Sequence, residues 1–192
     1  EKSLERGEKR PRLIDAAQEI ARTVDGLTWL TRRSGRAEMA VSDLVRQALF
    51  NSEHRLSAHG IEASNGLLDA DTDFRLRCSR RLMVASLMNL IYNSIYWLEN
   101  KGATSRRLHI GTTHEPDGKP GIVVAENGPG FEDPPEELAE PFFTRKPEGM
   151  GLGLHIVDEV LKSHSGTLRF PAAGEVDLPE GLVGAVVLLQ FD

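Results

Sequence analysis

Apolar residues recur at helical spacing near the start of the chain. They follow one another at intervals of 4, 3, 4 and 3 residues, at Leu13, Ala17, Ile20, Val24 and Leu27. This narrow, heptad-like stripe predicts a helix that runs to about residue 31 and packs against another helix. An amphipathic helix docked on the main domain would show the same pattern, so both interpretations stay open.

The same periodicity predicts three further helices. One covers 41–58, where Ser42 is placed to cap the first turn. Another covers 79–100 and is apolar around much of its circumference, so we expect it to be largely buried. The last covers about 151–163.

Between these helices the apolar residues run or alternate as they do in strands. Such segments occur near residue 61 and at 74–78, 106–114, 121–126, 166–170 and 183–191. The segment 127–150 is instead rich in Gly, Pro and Glu. Because connections of this length are uncommon in a compact domain unless they have a role, we expect this segment to be functional.

Composition and charge exclude several classes of protein. The 192 residues suffice for one domain plus a short extra element, and the net charge of −6 is unfavourable for binding a nucleic-acid backbone. No apolar run approaches the roughly 18 to 20 residues of a membrane-spanning helix. The single cysteine, Cys78, cannot form an internal disulfide. The chain begins at Glu1 without Met, and we expect it to be a piece of a longer protein.

Two asparagines interrupt the predicted helix 79–100. Asn89 and Asn93 are four residues apart, so both amides lie on one face of the helix. A buried amide without a partner costs about 1–3 kcal/mol, so both need hydrogen bonds or ligands. An interhelical or capping hydrogen bond is one explanation, and an amide oxygen that binds a hard cation such as Mg²⁺ is the other.

An acidic residue and two glycines follow the apolar strand 121–125. They belong to the sequence ENGPGF, which contains Glu126, Gly128 and Gly130. Glycines at these positions allow a ligand to approach the backbone closely, and the carboxylate can accept a hydrogen bond from an exocyclic amine such as that of adenine.

Three glycines at alternate positions open the predicted helix 151–163. They are Gly149, Gly151 and Gly153, within the sequence PFFTRKPEGMGLGL. Free backbone N–H groups and the helix dipole make this kind of helix start an anion site, and Lys146 adds a positive charge upstream. The spacing fits neither the P-loop nor the dinucleotide-binding glycine pattern.

Taken in order, these motifs resemble those of the GHKL ATP-binding superfamily. The likeness is closest to the catalytic and ATP-binding domain of sensor histidine kinases and covers about residues 41–192. NLIYNS resembles the family's N box, ENGPGF its acidic glycine box, PFFTRK its F box and GMGLGL its second glycine box. The resemblance implies a two-layer α/β sandwich of the Bergerat type, with a mixed, largely antiparallel sheet and three main helices on one face.

The resemblance also implies a binding site for ATP and Mg²⁺. Asn93 matches the family's metal ligand, and Glu126 matches the carboxylate that binds the adenine amino group, in a pocket shaped by Gly128 and Gly130. The segment 131–149 would be the ATP lid, with Phe142 and Phe143 as apolar anchors. The further nucleotide-binding positions would be Asn89, Lys146, Gly149, Gly151, Leu152, Gly153 and Leu154.

The proposed catalytic positions are Asn89 and Lys146. Hydrolysing relatives carry a glutamate base where this chain has Asn89, and an amide cannot serve as that base. We therefore expect phosphotransfer rather than rapid hydrolysis. Lys146 matches the F-box lysine, which would neutralise the terminal phosphate.

The chain departs from the family pattern at three positions. Glu126 replaces the usual aspartate, Tyr96 stands where many kinases carry a lysine, and Ala185 stands where threonine is common. The extra methylene of Glu126 extends the side chain by about 1.5 Å, one carbon–carbon bond. Two alternatives to a kinase therefore remain: a regulatory ATP-binding module with little transfer, and a GHKL ATPase of the DNA-processing or chaperone branch.

The family also implies partners and a domain division. Residues 1–36 would be the end of a dimerisation and phosphotransfer helix, and 37–192 the catalytic domain. None of the six histidines has the surroundings of a phosphoacceptor, so the acceptor would lie upstream or on another protein. We expect a response regulator as partner, a homodimer through the N-terminal helix, and no nucleic-acid or membrane contact by this piece. The expected location is cytoplasmic, whether or not the full-length protein has a membrane anchor.

Overall fold

A computed structural model describes most of the chain. The residues described are 35–66, 73–100, 105–114, 118–147, 149–172 and 174–192. The predicted N-terminal helix, and with it the prediction of a dimerisation segment, lies outside the described residues.

The described residues form seven strands and four helices. The helices are α1 (Val41–Ala58), α2 (Arg80–Asn100), α3 (Pro135–Leu138) and α4 (Gly153–Ser163). The strands are β1 (Ala37–Ala40), β2 (Ile61–Asn65), β3 (Arg75–Cys78), β4 (Arg106–His114), β5 (Pro120–Glu126), β6 (Gly166–Arg169) and β7 (Val186–Phe191). The four-residue elements β1 and α3 were not predicted from the sequence pattern.

Five strands form the main sheet, in the order β2-β4-β5-β7-β6. The β2–β4 pair is parallel and the other pairs are antiparallel. The central strand β5 is buried along its whole length after Pro120. One of its faces packs on the helices, and on the other face Val123 and Ala125 pack with Val176, Leu182 and Val186.

Helices α1, α2 and α4 share the first face of the sheet and build the main core with it. Helix α2 lies between the other two and contacts both. The core joins fully buried residues of all three helices to the sheet, including Leu44, Leu87, Leu161, Ile110 and Leu189. This arrangement confirms the predicted two-layer α/β sandwich with a mixed sheet. No helix among the described residues combines the length and the apolar character needed to cross a membrane.

The start of α1 corrects one prediction. Ser42 does not cap this helix: Ala40 occupies the cap position and contributes no side-chain bond. Instead the backbone N–H and the hydroxyl of Ser42 donate to the carboxylate of Asp73, at 3.0 and 2.7 Å. The N–H of Val41 donates to the carbonyl of Phe74 at 3.0 Å. Two free N–H groups of the first turn, those of Val41 and Ser42, are thus satisfied by the segment leading into β3, which sequence spacing does not reveal.

Candidate functional site

A cavity of about 370 Å³ opens between α2, the end of β5 and the segment that leads into α4. The site residues predicted from the sequence line this cavity, except for Gly128 and Phe142. The lining residues among them are Asn89, Asn93, Glu126, Gly130, Lys146, Gly149, Gly151, Leu152, Gly153 and Leu154. Residues up to 65 positions apart in the chain, from Asn89 to Leu154, therefore meet at one place.

Glu126 ends strand β5 and is only 2% exposed. One carboxylate oxygen accepts a hydrogen bond from the N–H of Ala185 at 2.8 Å, and the other accepts from the N–H of Gly128. Burial raises the pKa of this carboxyl above its ordinary value, while the two N–H donors act in the opposite direction. Each oxygen keeps a further lone pair, so the carboxyl retains the capacity to accept a hydrogen bond from a ligand.

Three glycines lie near Glu126, and at two of them a side chain would clash with this residue. A Cβ on Gly128 would lie 2.4 Å from Glu126 Oε2, and a Cβ on Gly184 would lie 2.6 Å from the Glu126 carbonyl oxygen. Gly130 has a φ of 77°, in the left-handed region that favours glycine. Gly128 therefore holds the carboxylate in place rather than lining the cavity. The contribution of Ala185 is a backbone N–H, which no side-chain pattern could have indicated.

Asn89 and Asn93 of α2 are half-buried and line the cavity. The ammonium of Lys146 lies 2.6 Å from Oδ1 of Asn93 and 4.7 Å from the centre of the Tyr96 ring. The amide oxygen of Asn93 therefore already holds a positively charged group. An oxygen donor of this kind, directed into a cleft, fits a hard divalent cation such as Mg²⁺.

The start of α4 has backbone donors without partners inside the helix. Leu152 occupies the cap position and makes no side-chain cap bond. The N–H groups of the first turn of a helix have no partner within the helix, and the helix dipole adds partial positive charge there. Because Gly153 and Leu154 line the cavity, this helix start is available to an anionic group inside it.

A salt bridge links two parts of the predicted lid, 131–149. The guanidinium of Arg145 donates to both carboxylate oxygens of Asp133, at 2.6 and 2.5 Å. This contact lowers the pKa of Asp133 and raises that of Arg145. The pair connects the beginning of the lid to the segment that carries Lys146.

The two phenylalanines of the lid differ in their surroundings. The ring of Phe143 is half-buried and lines the cavity, whereas Phe142 is 75% exposed and has a φ of 68°. The expectation that the Phe142 ring anchors the lid therefore does not hold in this conformation. Phe142 is held by its backbone instead, because its N–H donates to the carbonyl of Gly151 at 2.9 Å.

Comparison with known proteins identifies the family. Residues 79–191 match the family model described as histidine kinase-, DNA gyrase B- and HSP90-like ATPase, and the chain belongs to this family. It is 41% identical over 164 residues to the sensor protein TdiS of Thauera aromatica, covering 84% of this chain and 29% of that protein. It is 35% identical over 183 residues to the C4-dicarboxylate transport sensor protein DctB of Rhizobium meliloti, covering 91% and 28%.

Solved structures agree with this assignment at the level of the fold. The catalytic domain of histidine kinase ThkA superposes with a TM-score of 0.62 at 20% identity, over 81% of this chain and 96% of that one. The mycobacterial sensor histidine kinase MprB superposes with a TM-score of 0.61 at 23% identity, also over 81% and 96%. With the family model and the sensor-protein relatives, the chain is an ATP-binding catalytic domain of the sensor histidine kinase type. It spans less than a third of the length of TdiS and DctB.

Proposed function

We propose that this chain binds ATP with Mg²⁺ in the cavity and that the full-length protein transfers the terminal phosphoryl group to a histidine outside residues 1–192. One observation carries the proposal. A single cavity brings together the buried carboxylate of Glu126, the Lys146–Asn93 pair and the start of α4. The Glu126 carboxylate can accept a hydrogen bond from the amine of a base. Lys146 and the start of α4 can bind phosphate, and the amide oxygen of Asn93 can bind a cation.

Glu126 is the proposed recognition group for adenine. Its carboxylate is held by the Gly128 and Ala185 N–H groups and is excluded from bulk water. A hydrogen bond to a charged acceptor in such surroundings is stronger than one at the surface. Because the orientation of the carboxylate is fixed before a ligand arrives, little ordering cost remains for binding.

The phosphates would interact with the start of α4 and with Lys146. Asn93 would hold the Mg²⁺ ion through Oδ1, and the ion, when bound, supplies positive charge to the phosphate oxygens. Lys146 occupies that oxygen in this structure. Two cations repel each other at one amide oxygen, so Lys146 must leave Asn93 when the ion binds, and its ammonium then becomes available to a phosphate.

Asn89 favours transfer over hydrolysis. It lies one turn before Asn93 and lines the cavity, at a place where a carboxylate would be able to activate water. An amide lacks the basicity for that role. Catalysis would then depend on positioning and electrostatic stabilisation while an incoming imidazole acts as the nucleophile.

The remaining parts of the proposal concern the full-length protein. Residues 37–192 would be the catalytic domain, and residues 1–36 would end a helix that forms a homodimer and precedes it. The acceptor histidine and a response regulator would be its partners, and the domain would work in the cytoplasm. The family membership and the sensor-protein relatives support this arrangement.

Calorimetric titration with ATP, in the presence and absence of Mg²⁺, tests the binding step. We expect Mg²⁺-dependent binding by the native chain and at least about tenfold weaker binding by Asn93→Ala and Glu126→Ala. Asn51→Ala is the matched control, because Asn51 is an exposed asparagine of α1 outside the cavity. Absence of ATP binding by the native chain would overturn the proposal.

A second assay distinguishes transfer from hydrolysis. The full-length protein is incubated with ATP labelled on the terminal phosphate, and protein-bound phosphohistidine and released phosphate are measured. We expect acid-labile phosphohistidine and slow release of phosphate. Rapid release by the 192-residue chain that Asn93→Ala abolishes would favour an ATPase instead.

A further inference from the structure

Tyr96 and Asn93 present two different cation-binding groups to the same lysine. They are three residues apart on α2 and therefore share one face of the helix. The ammonium of Lys146 contacts the amide oxygen of Asn93 at 2.6 Å and lies 4.7 Å from the centre of the Tyr96 ring. A cation within about 6 Å of a ring centre is attracted to the negative face of the aromatic system. Lys146 thus has two adjacent partners inside the cavity.

The orientation of the Tyr96 ring is itself fixed by packing. Trp97 packs edge-on against it, with ring centres 5.1 Å apart and an angle of 88° between the planes. Tyr96 is half-buried and lines the cavity, so water screens its contact with Lys146 less than at an exposed site. The ring therefore offers a defined, partly desolvated face to the ammonium.

We propose that Tyr96 is a positioning residue that keeps the Lys146 ammonium inside the cavity when a divalent cation takes the oxygen of Asn93. This inference rests on the proposed function of the cavity. A cation bound at Asn93 displaces the ammonium by repulsion, whereas the neutral ring remains attractive to it. The lysine then moves from an oxygen to a ring about one helical turn away and stays beside the phosphate-binding region.

Without the ring, the displaced ammonium would be drawn to water. Its neighbours Arg145 and Pro147 are exposed, so the segment that carries Lys146 lies next to solvent. Ordering the long side chain again for each binding event costs entropy. Tyr96 reduces this cost by holding the side chain in place beforehand.

Nuclear magnetic resonance of the 192-residue chain tests the contact directly. The ammonium of Lys146 lies over the Tyr96 ring, so the protons of the methylene bonded to it are expected to resonate upfield of those of the other lysines. Lys146→Gln assigns the signal by removing it. We expect the upfield shift to persist in Tyr96→Phe, to disappear in Tyr96→Leu, and to survive the addition of Mg-ATP to the native chain. Tyr92→Leu is the matched control, because the Tyr92 ring faces Arg55 at 4.6 Å instead.

Mg-ATP affinity provides the second readout. We expect the dissociation constant to rise about three- to tenfold in Tyr96→Leu and to change less than about twofold in Tyr96→Phe. Lys146→Gln should weaken Mg-ATP binding less in the Tyr96→Leu variant than in the native chain, because the two residues act together. Thermal unfolding shows which variants are folded. Tyr96→Gln is a second variant without a ring, and its polar side chain suits this half-exposed position.

The outcomes separate the two proposals. No binding of Mg-ATP by the native chain overturns both the proposed function and the role of Tyr96. Binding by the native chain with unchanged affinity in the folded ringless variants overturns the role of Tyr96 alone. A loss in Tyr96→Phe as large as in Tyr96→Leu also overturns it, because the hydroxyl rather than the ring would then be responsible.

Discussion

The backbone N–H of Phe142 donates to the carbonyl of Gly151 at 2.9 Å, and both residues have a left-handed φ, 68° and 66°. This bond connects the lid to the turn that opens α4. It leaves no room on Gly151: a Cβ there would lie 2.4 Å from the carbonyl carbon of Phe142 and 2.6 Å from its oxygen. The glycine is therefore required both by its φ and by the close approach of the lid backbone.

Gly151→Ala is expected to destabilise the domain and to displace the lid. Gly60→Ala is the matched control, since Gly60 has a φ of 61° but open space around its Cβ position. The control carries only the cost of the left-handed backbone, roughly 1–2 kcal/mol, and Gly151→Ala adds the steric clash to that cost. Denaturant unfolding and Mg-ATP titration of both variants measure the difference. Equal unfolding free energies and equal affinities would contradict this reading of the Phe142–Gly151 contact.

The raised pKa of Glu126 predicts that the stability of the fold depends on pH. Burial raises the pKa of its carboxyl, so the folded state binds this proton more tightly than the unfolded state does. The stabilisation from this group is present below its ordinary pKa and is lost as pH rises through the folded value. We expect the unfolding free energy of the native chain, relative to Glu126→Gln, to decrease between pH 4 and pH 8. If denaturant unfolding gives the same difference in unfolding free energy between the native chain and Glu126→Gln across this range, the prediction is wrong.

The Arg145–Asp133 salt bridge is expected to control the mobility of the lid rather than global stability. The Arg145 side chain is 53% exposed and that of Asp133 is 12% exposed, and an ion pair that solvent reaches on one side contributes little to the free energy of unfolding. Arg145→Gln should therefore increase hydrogen exchange in 131–147 while leaving the unfolding midpoint nearly unchanged. High salt should produce a similar effect in the native chain.

Arg46→Gln supplies the control for the lid. It removes a more exposed Arg–Asp pair, the 2.9 Å contact between Arg46 and Asp43 on α1, far from the lid in the chain. Hydrogen exchange in the lid should be the same in Arg46→Gln as in the native chain. Equal lid exchange in Arg145→Gln and Arg46→Gln would rule out a specific role for the Arg145–Asp133 pair.

We expect His164 to make the fold sensitive to acid. Its Nε2 accepts a hydrogen bond from the N–H of Ser79 at 3.1 Å, and its Nδ1 lies 2.7 Å from the carbonyl of Val160. These partners require the neutral ring, with the proton on Nδ1 donated to Val160. Burial lowers the pKa of His164, so its stabilisation is present above the ordinary value of 6.5 and is lost as pH falls through the folded value.

Urea unfolding between pH 7.5 and pH 5 measures this effect. The native chain should lose unfolding free energy on acidification, and His164→Gln should lose less. His109 is also buried with a lowered pKa, so the double variant His109→Gln/His164→Gln should show a still flatter profile. An identical slope in the native chain and both variants would assign the acid sensitivity to other groups.

The sequence predicted most of the regular elements correctly because their patterns are local. Helix α1 covers the predicted range, and α2 begins one residue later than expected. The last strand begins at Val186 instead of residue 183. The N–H of Ala185 donates to the carboxylate of Glu126 and that of Gly184 to the Glu126 carbonyl, so the regular pairing with β5 begins only at Val186. Hydrophobic spacing shows which side of a residue faces the core, but not which distant atom accepts its backbone hydrogen bond.

The order of the motifs determined the class of protein, and the spacing of the asparagines put both amides on one face of α2. Only the tertiary structure decided how the site is held together. The chain brings Lys146 to Asn93 across 53 positions, Ala185 to Glu126 across 59, and Asp73 to Ser42 across 31. These contacts depend on how the sheet and helices pack around a common core, so local periodicity determines the elements but not the partners of their polar atoms.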